Sequence, residues 1–459
     1  MTISREFTEW AWALHPEAVP PEVRRRTAIH VLDGLGVALA AARLGAAPYA
    51  IPVAASLGTA NESTVLGSSA RASAAGAALA NGLLMHCLDF DDTHTAGLVH
   101  ATAVTLPAAL AVGERDSVSG AQFLTAVVAG YELVGRISKA APHGFHSKGF
   151  HATSVCGTFS SALVAALLSG LSVDEAVNAL GVAGSQSAGN LEFLGSGAST
   201  KQIHPGWASL AGVIAADLAA RGASGPETIF EGGHGLYALY SAVEPDLRSI
   251  TDDLGSSWEA LGIEAKQYPA CHLMHRNLDV AQELREQVRL EDVCEIVVTV
   301  PQDSIPIIAA PDEFKKAPRS AYEAKFSVQW SVAAMLVDGV VNVDTYDSQR
   351  ISRSDVGRVS QLVRYLPSTG NVPAAEAPGE ISIRLADGSE VSLRSNALTS
   401  ADGPTGEAGV LSKFRSNAGA STDATEELID AVLDLPNAPH LSRVISALDA
   451  VALKWMVHS

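Results

Sequence analysis

Residues 88–112 read LDFDDTHTAGLVHATAVTLPAALAV, a dense group of ionisable side chains followed by an uninterrupted apolar run. The run at 102–112 has the composition of a helix that is apolar nearly all round, which predicts burial inside a bundle of helices. Charged groups beside such a helix must find partners or shift their pKa values, as they do at sites of proton transfer. The alternative is that Asp91, Asp92 and Thr93 only cap the next helix.

Most of the chain before residue 265 has the same helical pattern. Periodic segments with capping or glycine signals at their ends lie at 22–44, 73–84, 102–112, 121–137, 154–168, 173–182 and 207–220. Their apolar faces carry many alanines and glycines, and aromatic residues make up only 5% of the chain, so helix axes can approach closely. These segments predict a compact helical bundle.

The pattern changes near residue 266. Residues 294–300, CEIVVTV, are typical of a buried strand, and residues 380–394, EISIRLADGSEVSLR, alternate around Asp387-Gly388 as a β-hairpin does. Residues 324–337 and 352–366 predict helices, residues 401–420 a loop, and residues 423–453 helix again. The fold class that follows is mainly α: a large all-helical domain at 1–265, completed by 406–459, and a smaller α+β lid domain at 266–405.

Composition excludes several classes of protein. A chain of 459 residues with 47% hydrophobic content can fill the cores of two or three globular domains. Its net charge of −19 argues against nucleic acid or an anionic membrane as a partner. Its apolar runs are too short for a bilayer, its N-terminus lacks the features of a signal peptide, and its four scattered cysteines match no zinc, iron–sulfur or redox motif. We therefore expect a soluble cytoplasmic protein.

Three familiar kinds of site fit the sequence poorly. Asp89, Asp91, Asp92 and His94 offer metal ligands but match no calcium or zinc signature, and the same holds for the H-x-x-H spacing at 143–146. The glycine-rich segment 195–201 satisfies neither phosphate-binding motif and is predicted to be a flexible turn that presents Lys201. No nucleophile elbow follows a predicted strand.

A cofactor-free site for proton transfer remains, built from histidine, lysine and aspartate. Ten of the 14 histidines lie between His86 and His275, several of them in loops at the ends of predicted helices. Removing a proton from a carbon next to a carboxylate requires cations or strong donors on the carboxylate oxygens while a base takes the proton. Lysines suit the first task, histidine or lysine suits the second, and Asp89 can hold an imidazole in one tautomer.

Five further motifs extend the pattern of residues 88–112. They are G-F-H-x-T-S-V-x-G-T-F at 149–159, T-K-x-x-H-P-G at 200–206, F-E-G-x-x-G at 230–235, K-x-Y-P-A-C at 266–271 and K-F-S at 325–327. Together with LDFDDTH they resemble the MmgE/PrpD family. That family comprises 2-methylcitrate dehydratases, cis-aconitate decarboxylases and an iminodisuccinate epimerase. The resemblance implies a helical domain with a lid domain, a homodimer, no metal or other cofactor, and proton transfer at carbon in a di- or tricarboxylate.

The same resemblance implies a set of site residues. It assigns catalysis to His100, His151, Lys201, Lys266 and His272, and it assigns orientation of the substrate to Asp89 and Thr93. Four other histidines, at positions 143, 146, 234 and 275, receive no role.

Departures from the family pattern bear on the substrate. Residues 97–103 replace the W-G-H-P-S-D-N element that bacterial 2-methylcitrate dehydratases share, and Ala101 stands where decarboxylases tend to have proline after the histidine. Trp330 occupies the place of an aromatic hydroxyl common in the decarboxylases. By elimination we expect epimerisation of iminodisuccinate, with the dehydratase and decarboxylase reactions as alternatives. A catalytically inactive dimeric scaffold is the alternative outside enzymes.

Overall fold

The computed structural model describes residues 1–196, 198–369, 377–395, 406–419 and 422–456. The α-helices in this part of the chain are α1 (Ile3–Ala13), α2 (Pro21–Arg43), α3 (Ala50–Ser56), α4 (Ala74–His86), α5 (Ala101–Arg115), α6 (Gly120–Lys139), α7 (Gly144–Ser147), α8 (Ala152–Leu168), α9 (Val173–Gly184), α10 (Phe193–Ser196), α11 (Thr200–Ala219), α12 (Leu236–Tyr240), α13 (His275–Arg285), α14 (Asp312–Lys316), α15 (Ala321–Ala324), α16 (Val328–Asp338), α17 (Ser354–Leu362), α18 (Glu407–Asn417), α19 (Asp423–Leu433) and α20 (Ser442–Met456).

The strands in this part of the chain are short, and they are fewer than the helices. They are β1 (Ser63–Thr64), β2 (Arg71–Ala72), β3 (Thr93–His94), β4 (Ile263–Glu264), β5 (Val293–Val300), β6 (Val363–Pro367), β7 (Gly379–Leu385) and β8 (Glu390–Ser395). The predicted mainly α class with a smaller α+β part is confirmed. The chain divides into two units: unit 1 comprises Met1–Phe193, Thr200–Ala265 and Asp402–Ser459, and unit 2 comprises Leu194–Ser199 and Lys266–Ala401.

Four helices form the centre of unit 1. Helices α4 and α8 each pack on α5 and α11, and α6 packs beside this group on α5 and α8. Glycines allow the close approach that the sequence predicts: a Cβ atom on Gly82 of α4 would lie only 2.7 Å from the Cα atom of Gly206 on α11. Since any side chain there would force the two backbones apart, this contact requires glycine. The same four helices carry most of the candidate site at their ends.

The C-terminal helices α18 and α19 pack on α2 within unit 1. The prediction of a loop at 401–420 is wrong for residues 407–417, which form α18, while 401–405 and 420 lie outside the described residues. The glycines that suggested a loop only precede or begin the helix. Val410 and Phe414 bury its inner face, and a Cβ on Gly36 of α2 would lie 2.8 Å from the Phe414 ring. Tertiary packing therefore decides the structure of this segment.

Unit 2 is built on a four-stranded sheet in the order β6-β5-β7-β8. Strand β5 pairs parallel with β6 and antiparallel with β7, and β7 and β8 form the predicted hairpin, with Gly388 at a φ of +85° in the turn. The helix predicted at 352–366 is wrong at its end, because α17 stops at Leu362 and Val363 begins β6. Pairing with β5 overrides the helical pattern there.

Helices α13 and α16 pack together beside this sheet. Their apolar faces form a core with β5 and β7 that includes Met274, Leu278, Ile296, Trp330 and Ile383. None of the helices in the described part of the chain combines the length and the hydropathy needed to cross a membrane.

Candidate active site

Helix ends place the candidate side chains of unit 1. Helix α4 ends at His86, α5 begins directly after His100, α8 begins directly after His151, and Lys201 lies in the first turn of α11. The three imidazoles lie together: the ring centroids of His86 and His100 are 4.7 Å apart, and those of His100 and His151 are 6.1 Å apart. The packing of these helices thus joins motifs that are far apart in the sequence.

Lys201 and Asp89 form a buried ion pair. The Lys201 Nζ atom donates a hydrogen bond of 2.7 Å to Asp89 Oδ1, and the two residues are only 7% and 0% exposed. The turn predicted at 195–201 ends earlier than expected, because α11 begins at Thr200 and Lys201 lies in its first turn. Asp89 has a φ of +52°, in the left-handed region that aspartate tolerates better than most residues. The pair thus places a cation and an anion together in the interior of unit 1.

Asp91 lies between two of the histidines. Its Oδ2 atom is 2.7 Å from His86 Nδ1 and 3.4 Å from His100 Nδ1. His100 Nδ1 is also 2.7 Å from the carbonyl oxygen of Asp92, so it carries the proton and donates it to that oxygen. The Nε2 atom of His100 is then the one that can exchange a proton. The carboxylate of Asp91 can stabilise a positive charge on both rings.

The sequence offers Asp91, Asp92 and Thr93 as caps of the next helix, and Asp92 does cap it. Its Oδ1 atom accepts a hydrogen bond of 3.2 Å from the backbone N–H of Thr102 in the first turn of α5. Its Oδ2 atom accepts from the Thr102 hydroxyl and lies 3.3 Å from Nδ1 of His30. The Thr102 hydroxyl is also hydrogen-bonded to Tyr131. Asp92 therefore fixes the start of α5 and the position of His100 just before it.

Three histidines near Lys201 favour the neutral form. Burial, strengthened by the charge of Lys201, moves the pKa of His151 well below its ordinary value. Burial also lowers the pKa of His146, where His143 and Lys201 add to the effect, and that of His204, where His86 and Lys201 do; each falls to about 4. A neutral imidazole can accept a proton or donate a hydrogen bond without carrying charge.

His151 and His204 are in direct contact. Their Nδ1 atoms lie 3.0 Å apart, so one of them donates and the other accepts. This contact therefore couples the tautomers of the two rings. His204 lies three residues after Lys201 on α11, so one helical turn delivers both groups.

Thr93 lies on strand β3, which pairs with β4 through Thr93 and Glu264. Its side chain is 5% exposed, and its Oγ1 atom makes no hydrogen bond within the described residues. The next residue, His94, is tied down: Nδ1 accepts from the N–H of Gly97, and Nε2 lies 2.9 Å from Glu259 Oε2. Burial raises the pKa of Glu259, but hydrogen bonds from His94 and Lys139 outweigh it and hold that pKa at about 2.

Two groups in the described chain could hold a metal ion. His86, His100 and His151 form one, and His86, Asp89 and Asp91 form the other, each with ligand atoms within 4.8 Å of one another. The charge of Lys201 already lowers the pKa of His151, so it opposes a second cation at the first group. Lys201 therefore disfavours a metal ion at the group of three histidines.

Lys266 and His272 belong to unit 2. Lys266 is 2% exposed, and the ring of His272 lies 5.0 Å from that of His275. Another lysine of this unit, Lys325, donates to the carbonyl oxygen of Pro269 at 3.0 Å. Trp330 is 2% exposed and packs against Tyr346 in the core of unit 2. Trp330 therefore serves packing in this core. The structure gives no support to the interpretation that Trp330 replaces a hydroxyl donor of the site.

The structure thus brings together Asp89, His100, His151 and Lys201 within unit 1 and surrounds them with groups that the sequence did not assign. Thr93 lies on β3 of the same unit. Those additional residues are His86, Asp91, Asp92, His146 and His204. The clustering of histidines in the sequence was the available signal for them. Their individual contacts depend on helix packing that no local spacing predicts.

The chain thus has a helical unit that carries this site and an α+β unit after it. Comparison with known protein families identifies the class of protein with this architecture. The chain belongs to the MmgE/PrpD family: the model of the MmgE/PrpD N-terminal domain matches residues 5–247, and that of the MmgE/PrpD C-terminal domain matches residues 268–435. The family inferred from the sequence motifs is confirmed.

Several proteins similar to this chain are cis-aconitate decarboxylases. The protein of Aspergillus terreus is 25% identical over 97% of this chain and 96% of its own length. The protein of Mus musculus is 30% identical over 80% of this chain and 78% of its own length, and that of Homo sapiens is 30% identical over 78% and 76%. These relatives favour the lyase alternative over the expected epimerase, for which the comparisons give no support.

Proposed function

We propose that this protein is a lyase that decarboxylates an unsaturated tricarboxylate of the cis-aconitate type. The observation that carries the proposal is the buried pair of Lys201 and Asp89 beside the imidazoles of His86, His100 and His151. The similarity to cis-aconitate decarboxylases over nearly the whole chain supports the choice of reaction.

The chemistry requires one proton and compensation of negative charge. In the decarboxylation of cis-aconitate, the bond between a methylene carbon and its carboxylate breaks and carbon dioxide leaves. The electron pair forms a new double bond at that methylene carbon. The old double bond shifts its electrons onto the distal carbon, which takes a proton. The product is a dicarboxylate with a terminal methylene group. An enzyme accelerates this step by holding the remaining carboxylates on cations or N–H donors and by placing an acid at the distal carbon.

Lys201 is the proposed carboxylate ligand. In the absence of substrate its Nζ atom is held by Asp89, which keeps it oriented inside the protein. Helices α5, α8 and α11 all begin at this site, and the partial positive charge of a helix N-terminus favours bound anions. The hydroxyl of Thr93, which has no hydrogen-bond partner among the described residues, is a further donor for a carboxylate oxygen. A tricarboxylate is thus matched by one cation and several dipoles.

His100 is the proposed acid. The Asp91 carboxylate lies 3.4 Å from its Nδ1 atom and favours the imidazolium, while its Nε2 atom can deliver the proton. His151, whose pKa is well below its ordinary value, stays neutral and acts as a hydrogen-bond donor or as the base in the reverse direction. Different environments thus separate the roles of the two histidines.

The family resemblance adds Lys266 and His272 to the proposed catalytic set, as a second cation and a further proton carrier. It also predicts a homodimer, which light scattering of the purified protein tests. Neither metal nor organic cofactor is required by the proposed step.

Proton and carbon NMR in deuterium oxide with cis-aconitate, 2-methylcitrate and iminodisuccinate tests the proposal. Decarboxylation of cis-aconitate releases carbon dioxide, places one deuteron in the product and gives new methylene signals. Dehydration of 2-methylcitrate creates an alkene without loss of carbon. Epimerisation of iminodisuccinate exchanges one C–H and creates no alkene. Turnover of either other acid without turnover of cis-aconitate would overturn the decarboxylase proposal, and inertness of the folded protein toward all three would support the inactive scaffold.

A further inference from the structure

A lysine from the C-terminal segment reaches the loop that carries Asp89 and Asp91. The Lys413 Nζ atom, on α18, lies 2.7 Å from Oδ1 of Asp33 on α2. The same atom donates a hydrogen bond of 2.7 Å to the carbonyl oxygen of Phe90 and lies 3.8 Å from the centre of the Phe90 ring. One ammonium group thus forms an ion pair with a carboxylate, donates to a backbone carbonyl and lies against an aromatic face.

This arrangement is costly. The side chains of Lys413 and Asp33 are 9% and 1% exposed. Burial lowers the pKa of Lys413 and raises that of Asp33, and their mutual attraction opposes both shifts. Buried ion pairs contribute little net stability, because desolvation of both charges offsets the attraction between them. A purely structural link between α2 and α18 could be made by apolar side chains such as the neighbouring Phe414, which is fully buried against α2.

The ion pair of Lys413 and Asp33 also bears on the candidate site, because Lys413 contacts Phe90. Phe90 lies between Asp89, which binds Lys201, and Asp91, which contacts His86 and His100. Its carbonyl group belongs to the peptide unit shared with Asp91, and Asp89 on its other side has the left-handed φ of +52°. An anchor on this carbonyl restricts the rotation of the peptide units that aim both carboxylates. Such backbone conformations persist only where the surroundings hold them.

We propose that Lys413 is a positioning residue: through the Phe90 carbonyl and ring it fixes the loop at 88–92, and Asp33 holds Lys413 in place for that task. Its effect on turnover rests on the proposed function. Its effect on the loop does not, because that effect concerns only the backbone around Phe90.

The decisive variant replaces both charges at once. In Lys413→Met with Asp33→Leu no unpaired charge remains, and exchanging a buried ion pair for apolar residues of similar size is often neutral for stability. The single variant Lys413→Met, in contrast, leaves the Asp33 carboxylate buried without its cation. The double variant therefore separates the anchor on Phe90 from the stability of the fold.

A matched control uses a second ion pair between the same two helices. Arg25 on α2 binds Glu407 on α18, with Arg25 Nε donating to Glu407 Oε2 at 3.1 Å, and both side chains are about half exposed. The variant Arg25→Met with Glu407→Gln removes this link without touching Phe90. It shows what the loss of an ion pair between α2 and α18 does by itself.

Hydrogen–deuterium exchange followed by mass spectrometry measures the loop, and steady-state kinetics measures turnover. For Lys413→Met with Asp33→Leu we expect amide exchange in the peptide that spans 88–94 to become at least about 10-fold faster, as local opening of an unanchored loop requires. We also expect kcat to fall by about 10-fold or more with a smaller change in KM, since a loop carrying catalytic groups loses its geometry. The control variant keeps wild-type values of both.

Wild-type exchange in this peptide in the double variant would overturn the proposal, whatever the substrate is. Faster exchange with unchanged turnover would remove Lys413 from the positioning of the reaction and leave it a role in the loop alone. If the wild-type protein fails to turn over cis-aconitate, the proposed function falls while the exchange measurement still decides the role of Lys413.

Discussion

Lys201 Nζ lies 2.7 Å from Asp89 Oδ1, and these residues are 112 positions apart in the chain. Neither side chain has appreciable contact with solvent. The pair therefore joins two sequence motifs into one site and holds a cation in the interior of unit 1. In the substrate complex Lys201 would bind a substrate carboxylate while Asp89 keeps its ammonium oriented.

The first prediction concerns this lysine. We expect Lys201→Met to lower kcat by at least about 100-fold, the usual scale for loss of an electrostatic or acid–base group. A carboxylate of the substrate would lose its cation while the fold persists. Lys148→Met is the control, because Lys148 is exposed on the same unit. Turnover near the wild-type rate in a folded Lys201→Met protein would take Lys201 out of the catalytic set.

Thr93 allows a test that separates substrate binding from folding. Its buried hydroxyl has no hydrogen-bond partner within the described residues, so Thr93→Val removes an unsatisfied group and should leave the melting temperature unchanged or raise it. We expect the same variant to lose about 10-fold in kcat/KM, because one donor to the substrate is missing. Thr93→Ser restores the hydroxyl and should recover most of that loss. Equal kinetics for the valine and serine variants would show that the hydroxyl does not contact substrate.

The contact between His151 and His204 predicts a pH effect on catalysis. His204→Ala removes the ring whose contact with Nδ1 couples the tautomer of His151 to its own. We expect kcat/KM to fall by about 10-fold and its pH profile to shift, because part of the His151 population then carries its proton on the wrong nitrogen. His234→Ala is the control, since His234 is an exposed histidine of the same unit. A lower melting temperature with an unchanged pH profile would assign His204 a structural role instead.

Local sequence signals predicted the helical part of the fold well. They failed where contacts between distant segments decide the secondary structure. The central helices α5, α6 and α8 begin and end close to the predicted positions because capping residues and periodicity are local. Strand β6 was predicted as helix because its partner β5 is distant in the chain. Helix α18 was predicted as a loop because its glycines outweighed two buried apolar residues.

The candidate site likewise contains residues that the sequence predicted and residues that it did not. The motifs pointed to Asp89, His100 and Lys201, whose residue types are chemically conspicuous. They did not point to Lys413, which follows a glycine-rich segment far from the motifs and acquires its significance only where α18 packs on α2. Contacts across several hundred residues depend on the whole bundle, so the sequence could suggest the chemistry of the site but not its supporting contacts.

The lowered pKa values of His146 and His204 predict how stability depends on pH. Each falls from about 6.5 in the unfolded chain to about 4 in the folded protein. Above pH 6.5 both are neutral in both states. Between pH 6.5 and about 4 the unfolded chain binds protons that the folded protein rejects, so stability falls as the pH falls, by up to about 1.4 kcal/mol per pH unit for each histidine.

Glu132 acts in the opposite direction, because burial raises its pKa to about 7 and its contribution to stability is lost as the pH rises toward that value. Comparison of a variant with the wild-type protein cancels this effect of Glu132, because both proteins contain Glu132.

We expect His146→Asn with His204→Asn to lose less stability than the wild type between pH 7 and pH 5, measured by urea denaturation at each pH. Parallel losses in the two proteins would mean that the pKa values of these histidines are not lowered in the folded state, and the proposal of a neutral imidazole group around Lys201 would then fail.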